Sequence, residues 1–80
     1  MPDISKSEDK FIKDYRIKIG NKIRNLREKK GLSQNDLAEK IGVKISTISK
    51  IENGIFAVSI DYLIKISGFL NFDIILKEKI

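Results

Sequence analysis

The segment from Ser33 to Gly54, SQNDLAEKIGVKISTISKIENG, leaves little choice of local structure, because its apolar residues fall into two short stripes separated by one glycine. Leu37, Ala38 and Ile41 form the first stripe, and Ile48, Ile51 and Ile55 the second. Both have the spacing of three and four that gathers side chains on one face of a helix. Ser33 stands where a hydroxyl can accept from the free amides of a starting helix, and Asp36 follows where an acid suits the positive end of the dipole. Gly42 falls where a helix end often needs a positive φ, a conformation that costs little only without a Cβ. Val43 buries the turn, the second helix follows Lys44, and Asn53-Gly54 stops it. Ala38 is small where the second helix must approach closely. Two helices held at a sharp angle by one turn, a helix-turn-helix, are expected. The outer face of the second helix then carries Ile45, Ser46, Ser49 and Lys50.

The same periodicity places two more helices. Ile12, Tyr15, Ile19, Ile23 and Leu26 recur at helical spacing and define a long first helix, ended by Lys29-Lys30-Gly31. Gly20 lies inside it at a cost of about 1 kcal/mol relative to Ala, which points to close helix packing. Residues 1–7 are polar, contain the only proline, and are expected to form a flexible arm. Ser59 begins a fourth helix whose apolar face is Ile60, Leu63, Ile64, Ile66 and Leu70. Residues 8–70 thus form one domain. Residues 71–80 read as a strand and tail, since Phe72-Asp73-Ile74-Ile75-Leu76-Lys77 partly alternates and is rich in β-branched residues. A lone strand leaves backbone groups unpaired. Antiparallel pairing with a second copy across a two-fold axis is the expected remedy, with Phe72, Ile74 and Leu76 at the dimer interface.

Composition narrows the function classes. Eighty residues carry 16 Lys and Arg against 11 Asp and Glu, a formal charge of +5 that favours a polyanionic partner. Without cysteine or histidine there is no disulfide framework, conventional zinc site or histidine pH switch, and the usual nucleophile and acid–base constellations cannot be assembled. No cofactor, metal or enzymatic activity is expected. The longest apolar run, Ile55 to Val58, is far short of a membrane span, and Met1 to Lys10 lack the apolar stretch of a signal peptide, so a cytoplasmic protein is expected.

Leu37-Ala38, Gly42-Val43, Ile48-Ser49 and Ile51-Glu52-Asn53-Gly54 resemble the Cro and phage-repressor type of helix-turn-helix, the xenobiotic-response-element family. The likeness extends forward through Gly31-Leu32-Ser33-Gln34, Leu26-Arg27 and Ile23 to Ile19-Gly20, and back from Ser59 to Leu70. It implies an all-α, compact four-helix lambda-repressor-like domain that lays its second motif helix in the major groove of double-stranded DNA. By resemblance the residues facing bases are Ile45, Ser46, Ser49 and Lys50. Ile45 offers apolar contact to a thymine methyl, the serines are permissive readers, and Lys50 reaches either guanine or a phosphate. Gln34 and Asn53 match positions that hold the DNA backbone; Lys44, Thr47 and Ser33 add phosphate contacts, with a helix cap as the competing role for Ser33. Arg27 and Glu52 match a buried ion pair of the family, the alternative being a solvated or phosphate-binding Arg27.

Two features depart from the family pattern. Lys44 replaces the usual Ser or Thr cap, and Ile55-Phe56-Ala57-Val58 replaces polar residues, reading as core or dimer surface, or else as a toxin-binding patch. The tail looks less like the five-helix phage repressor than like antitoxin regulators with a dimerising strand. The expected function is a homodimeric, sequence-specific transcriptional regulator, a repressor on an inverted-repeat operator. The alternative is an antitoxin that neutralises a partner protein and autoregulates its operon.

Overall fold

The computed structural model describes residues 5–79 as four helices: α1 (Ser5–Lys29), α2 (Gln34–Ile41), α3 (Ile45–Glu52) and α4 (Ile60–Leu70). Helix α1 starts earlier than its apolar periodicity indicates, so Ser5 to Ser7 belong to a helix rather than an arm. The remainder of the expected arm, residues 1–4, lies outside the described residues.

Helix α2 opens on a capping box. The Asp36 amide donates to Ser33 Oγ at 3.0 Å and the Ser33 amide donates to Asp36 Oδ2 at 2.8 Å, so two free amides of the helix start are satisfied reciprocally. Gly42 closes α2 with φ 75° and ψ 38°, and the Val43 amide returns to the Ala38 carbonyl at 3.0 Å. Left-handed backbone at this point turns the chain directly into α3.

Ile23, Leu37, Ala38, Ile41, Ile48, Ile51, Ile66 and Leu70 form the core, where α2 packs on α3 and α4, and α1 packs on α3. Gly20 explains how α1 comes so near. A Cβ there would fall 2.6 Å from the Glu52 carbonyl oxygen and closer still to that of Ile51. The two helices meet backbone to backbone.

Several apolar residues expected inside lie outside. Ile60 and Ile64 are exposed on α4, which packs on α2, while Ile66 and Leu70 of the same helix are buried in the core. Ile12 and Tyr15 are exposed with Phe11 and Ile17, since this part of α1 runs beyond the core. Ile55 is exposed and follows α3 rather than belonging to it. Of the run Ile55 to Val58, only Val58 packs on the core, and Ile55, Phe56 and Ala57 are exposed.

Helix α4 begins at Ser59, whose Oγ accepts from the Tyr62 amide at 3.1 Å, and ends at Asn71 with φ 58°. The tail after it forms no strand among the described residues, because a ladder needs a partner and one chain offers none. Phe72, expected at the dimer interface, is half-buried and packs on its own core. Ile74, Ile75 and Leu76 are 42%, 77% and 97% exposed.

Candidate nucleic-acid interface

Helix α3 divides its side chains cleanly. Ile48, Ile51 and Glu52 turn inward, whereas Ile45, Ser46 and Lys50 are exposed and Thr47 and Ser49 are half-buried at the edge. Ile45 is 50% exposed, an apolar side chain presented to solvent on an otherwise polar face. Lys44 is the N-cap of α3 with extended backbone, no side-chain cap bond and an exposed side chain. Lys50 Nζ lies 4.9 Å from the centre of the Phe56 ring, so a residue beyond the helix holds the cation of this outer face.

The inner side of α3 is locked by a buried carboxylate. Glu52 is only 1% exposed and accepts from Arg27 twice, Nε to Oε2 at 2.7 Å and Nη2 to Oε1 at 2.9 Å. A fork-to-fork pair of this kind fixes direction as well as distance. Arg27 Nη1 also donates to the Leu32 carbonyl at 2.7 Å, tying the α1–α2 loop to the same guanidinium. Gln34 Nε2 donates to Glu52 Oε1 at 3.1 Å, and Arg24 Nε approaches the same oxygen at 3.5 Å. Among the described residues every buried side-chain nitrogen and oxygen has a partner. One carboxylate therefore joins α1, α2 and α3, and sets the angle of the outer face relative to the rest.

The family model described as Helix-turn-helix matches residues 23–76, a stretch that includes every residue of this network, from Arg24 to Glu52. The chain belongs to the Cro and repressor type of helix-turn-helix family. It is 41% identical over 64 residues to the HTH-type transcriptional regulator SinR of Bacillus licheniformis, covering 76% of this chain and 58% of that protein. The SinR of Bacillus subtilis (strain 168) gives the same identity and coverage. This chain thus spans less than two thirds of the length of the curated relatives it matches. Among solved structures, the restriction-modification controller protein C.AhdI from Aeromonas hydrophila is similar, with a TM-score of 0.72 and 33% identity over 75% of this chain and 91% of that one. These relatives are named as regulators rather than enzymes, in line with the absence of catalysis expected from the sequence.

Within this helix-turn-helix, the expected residues fall into distinct places. Arg27 and Glu52 form the buried pair. Ile45, Ser46, Ser49 and Lys50 share the outer face of α3, with Asn53 at its C-terminal end and Lys44 and Thr47 at its start. Gln34 opens α2 and is held by Glu52, while the Ser33 hydroxyl is engaged as a cap. Arg24 was not among them. It follows from helical geometry, since Arg24 and Arg27 are three residues apart on α1 and so share a face. Phe56 carries no such periodic signal.

Glu52 also makes stability depend on pH in a definite direction. Burial alone pushes its carboxyl upward, but hydrogen bonds from Arg27 and Gln34, the Arg27 charge and Arg24 outweigh this and hold it below the usual carboxylate range. A group whose pKa is lower folded than unfolded contributes fully above the unfolded value, about 4.3 for Glu, and its contribution is lost as pH falls through the folded value. Asp36 acts in the same direction, lowered by the Ser33 backbone amide and then by the Ser33 hydroxyl. Melting temperatures measured from pH 7 to pH 2 are expected to fall below about pH 4, and Glu52→Gln is expected to flatten that decline. An equally steep decline in the variant contradicts the assignment to Glu52.

Proposed function

We propose that this chain is a homodimeric, sequence-specific double-stranded DNA-binding transcriptional regulator, acting as a repressor on an inverted-repeat operator through the major groove. The observation that carries this reading is the outer face of α3, Ile45, Ser46, Ser49 and Lys50, held at a set angle by the buried Glu52 on its other side. A major groove admits a helix in that position. Ile45 meets a thymine methyl, and Lys44, Thr47, Gln34 and Ser33 approach the phosphates on either side, while the Asn53 carboxamide is taken up by Arg24 and the Ser49 carbonyl. The net charge of +5 assists the encounter with DNA. Regulator and controller relatives favour this reading over an antitoxin.

Dimerisation is supported by consecutive exposed apolar residues at the end of the chain, Ile74, Ile75 and Leu76, with Phe72 anchoring that segment to its own core. Extended backbone with unpaired groups pairs readily with a second copy of itself. Two α3 helices then meet half-sites about 34–36 Å apart.

Fluorescence anisotropy on labelled upstream DNA tests the reading. Tight binding to one segment and weak binding to its scrambled version are expected at physiological salt; equal affinity for both overturns sequence-specific regulation. Lys44→Ala is expected to weaken binding to all sequences alike and to reduce the slope of log K against log salt by about one, the signature of a lost phosphate contact.

A further inference from the structure

A serine hydroxyl is both donor and acceptor, so Ser49 by itself names no base. Its surroundings remove the ambiguity. The Arg24 guanidinium can only donate, and its Nη2 lies 2.8 Å from the Asn53 side chain while its Nε faces Glu52 Oε1 at 3.5 Å. Only the carboxamide oxygen can stand opposite a guanidinium, so chemistry decides which way the Asn53 amide points. Its amino end turns toward α3, where Nδ2 donates to the Ser49 carbonyl at 2.8 Å and stands 3.4 Å from Ser49 Oγ. An amino group has no lone pair to offer, so the hydroxyl meets it with its oxygen and its proton points elsewhere. At 3.4 Å the contact is weak as a bond, and its polarity favours the hydroxyl orientation in which the oxygen faces Nδ2. Ser67 returns its hydroxyl to its own helix, 2.6 Å from the Ile64 carbonyl; among the described residues Ser49 makes no such bond.

We infer that Arg24 is a positioning residue for sequence reading: through Asn53 it sets Ser49 as a hydrogen-bond donor, matched to an acceptor on the major-groove edge. This rests on the DNA-reading function proposed above. The acceptors available are purine N7, guanine O6 and thymine O4, while the amino groups of cytosine and adenine are donors and are disfavoured at that spot. Glu52 anchors the relay at its buried end, so the ion pair that sets the angle of α3 also touches the residue that sets the polarity of one reader.

Selection from a random-sequence double-stranded DNA library with the full chain yields a preferred site, at which every base pair is then substituted and its affinity measured for wild type, Ser49→Ala, Arg24→Met and Arg24→Lys. One base pair in each half-site is expected to show a roughly two- to tenfold preference for an acceptor-bearing edge, the worth of one net hydrogen bond. Ser49→Ala and Arg24→Met flatten that preference and leave those at other positions intact; Arg24→Lys, which also only donates, restores part of it. Replacing the contacted base by a 7-deazapurine, 2-aminopurine for guanine, or a thymine analogue lacking O4 costs wild type the same factor and costs Ser49→Ala nothing. Thermal melting confirms that each variant is folded. Uniform loss of affinity in Arg24→Met, or an analogue penalty undiminished in Ser49→Ala, overturns the inference alone. Failure to enrich any sequence overturns the DNA-reading function and the inference with it.

Discussion

Arg27→Met is expected to destabilise the fold by about 3–5 kcal/mol, because it strips a buried carboxylate of its bidentate partner without removing the charge. Glu52 has 0% side-chain exposure and cannot turn to water. Gln34 at 3.1 Å supplies one neutral bond, and Arg24 at 3.5 Å is already near enough to swing inward, which favours the lower end of that range. Glu52→Leu alone leaves Arg27 buried without a counter-charge and is expected to cost a similar amount. The double substitution Arg27→Met with Glu52→Leu removes both charges together and is expected to lie within about 1–2 kcal/mol of the parent. Its residual cost comes from the Leu32 carbonyl and the Gln34 amide, each of which loses a partner. Urea denaturation followed by circular dichroism on the three variants checks this. Single variants costing no more than a surface substitution contradict a buried pair and return Arg27 to solvent or phosphate.

Gly20→Ala gives a second large effect, whose sign separates two physical causes. Helix propensity alone favours alanine by about 1 kcal/mol in the interior of a helix. Packing opposes it. The new methyl falls on the carbonyl oxygens of Ile51 and Glu52, which are backbone atoms and cannot rotate aside. Separating α1 from α3 to make room also pulls on the Arg27–Glu52 bonds, so the net expectation is a loss of about 1–3 kcal/mol, the usual cost of overpacking. A stabilised Gly20→Ala, measured by the shift of the denaturation midpoint, shows that α1 and α3 do not meet backbone to backbone. Binding to DNA is expected to weaken further than stability alone accounts for, because the same displacement re-aims α3.

Much of this arrangement was legible in the sequence because it rests on local rules. Ser33 is the cap its position suggests, with Asp36 bonding back to it besides suiting the dipole, Gly42 adopts the left-handed backbone expected of it, and the inward stripes Leu37, Ala38, Ile41 and Ile48, Ile51 are all buried. The buried pair of Arg27 and Glu52 followed from resemblance rather than from spacing, since 25 residues separate the two partners. Legibility failed where burial depends on which neighbour covers a face. Ile60 and Ile64 are as apolar and as well spaced as Ile66 and Leu70, yet only the latter two of these four are buried in the core. Arg24 and Phe56 act through contacts between elements; the three-residue spacing to Arg27 is the one local sign of Arg24, and the contact of Phe56 leaves no periodic mark. The tail is a different case, because its expected strand depends on a second chain that periodicity cannot supply.

The exposed apolar residues Ile74, Ile75 and Leu76 and the outer face of α3 belong to one proposal, two copies joined by their tails and reading DNA in register. Hydroxyl-radical and dimethyl sulfate footprinting of the protein on its selected operator tests that proposal most directly. The expected result is two blocks of major-groove guanine protection on one face of the duplex, related by a two-fold axis and about 10–10.5 base pairs apart. A single block, or backbone protection without any protected guanine N7 on a guanine-containing half-site, contradicts it.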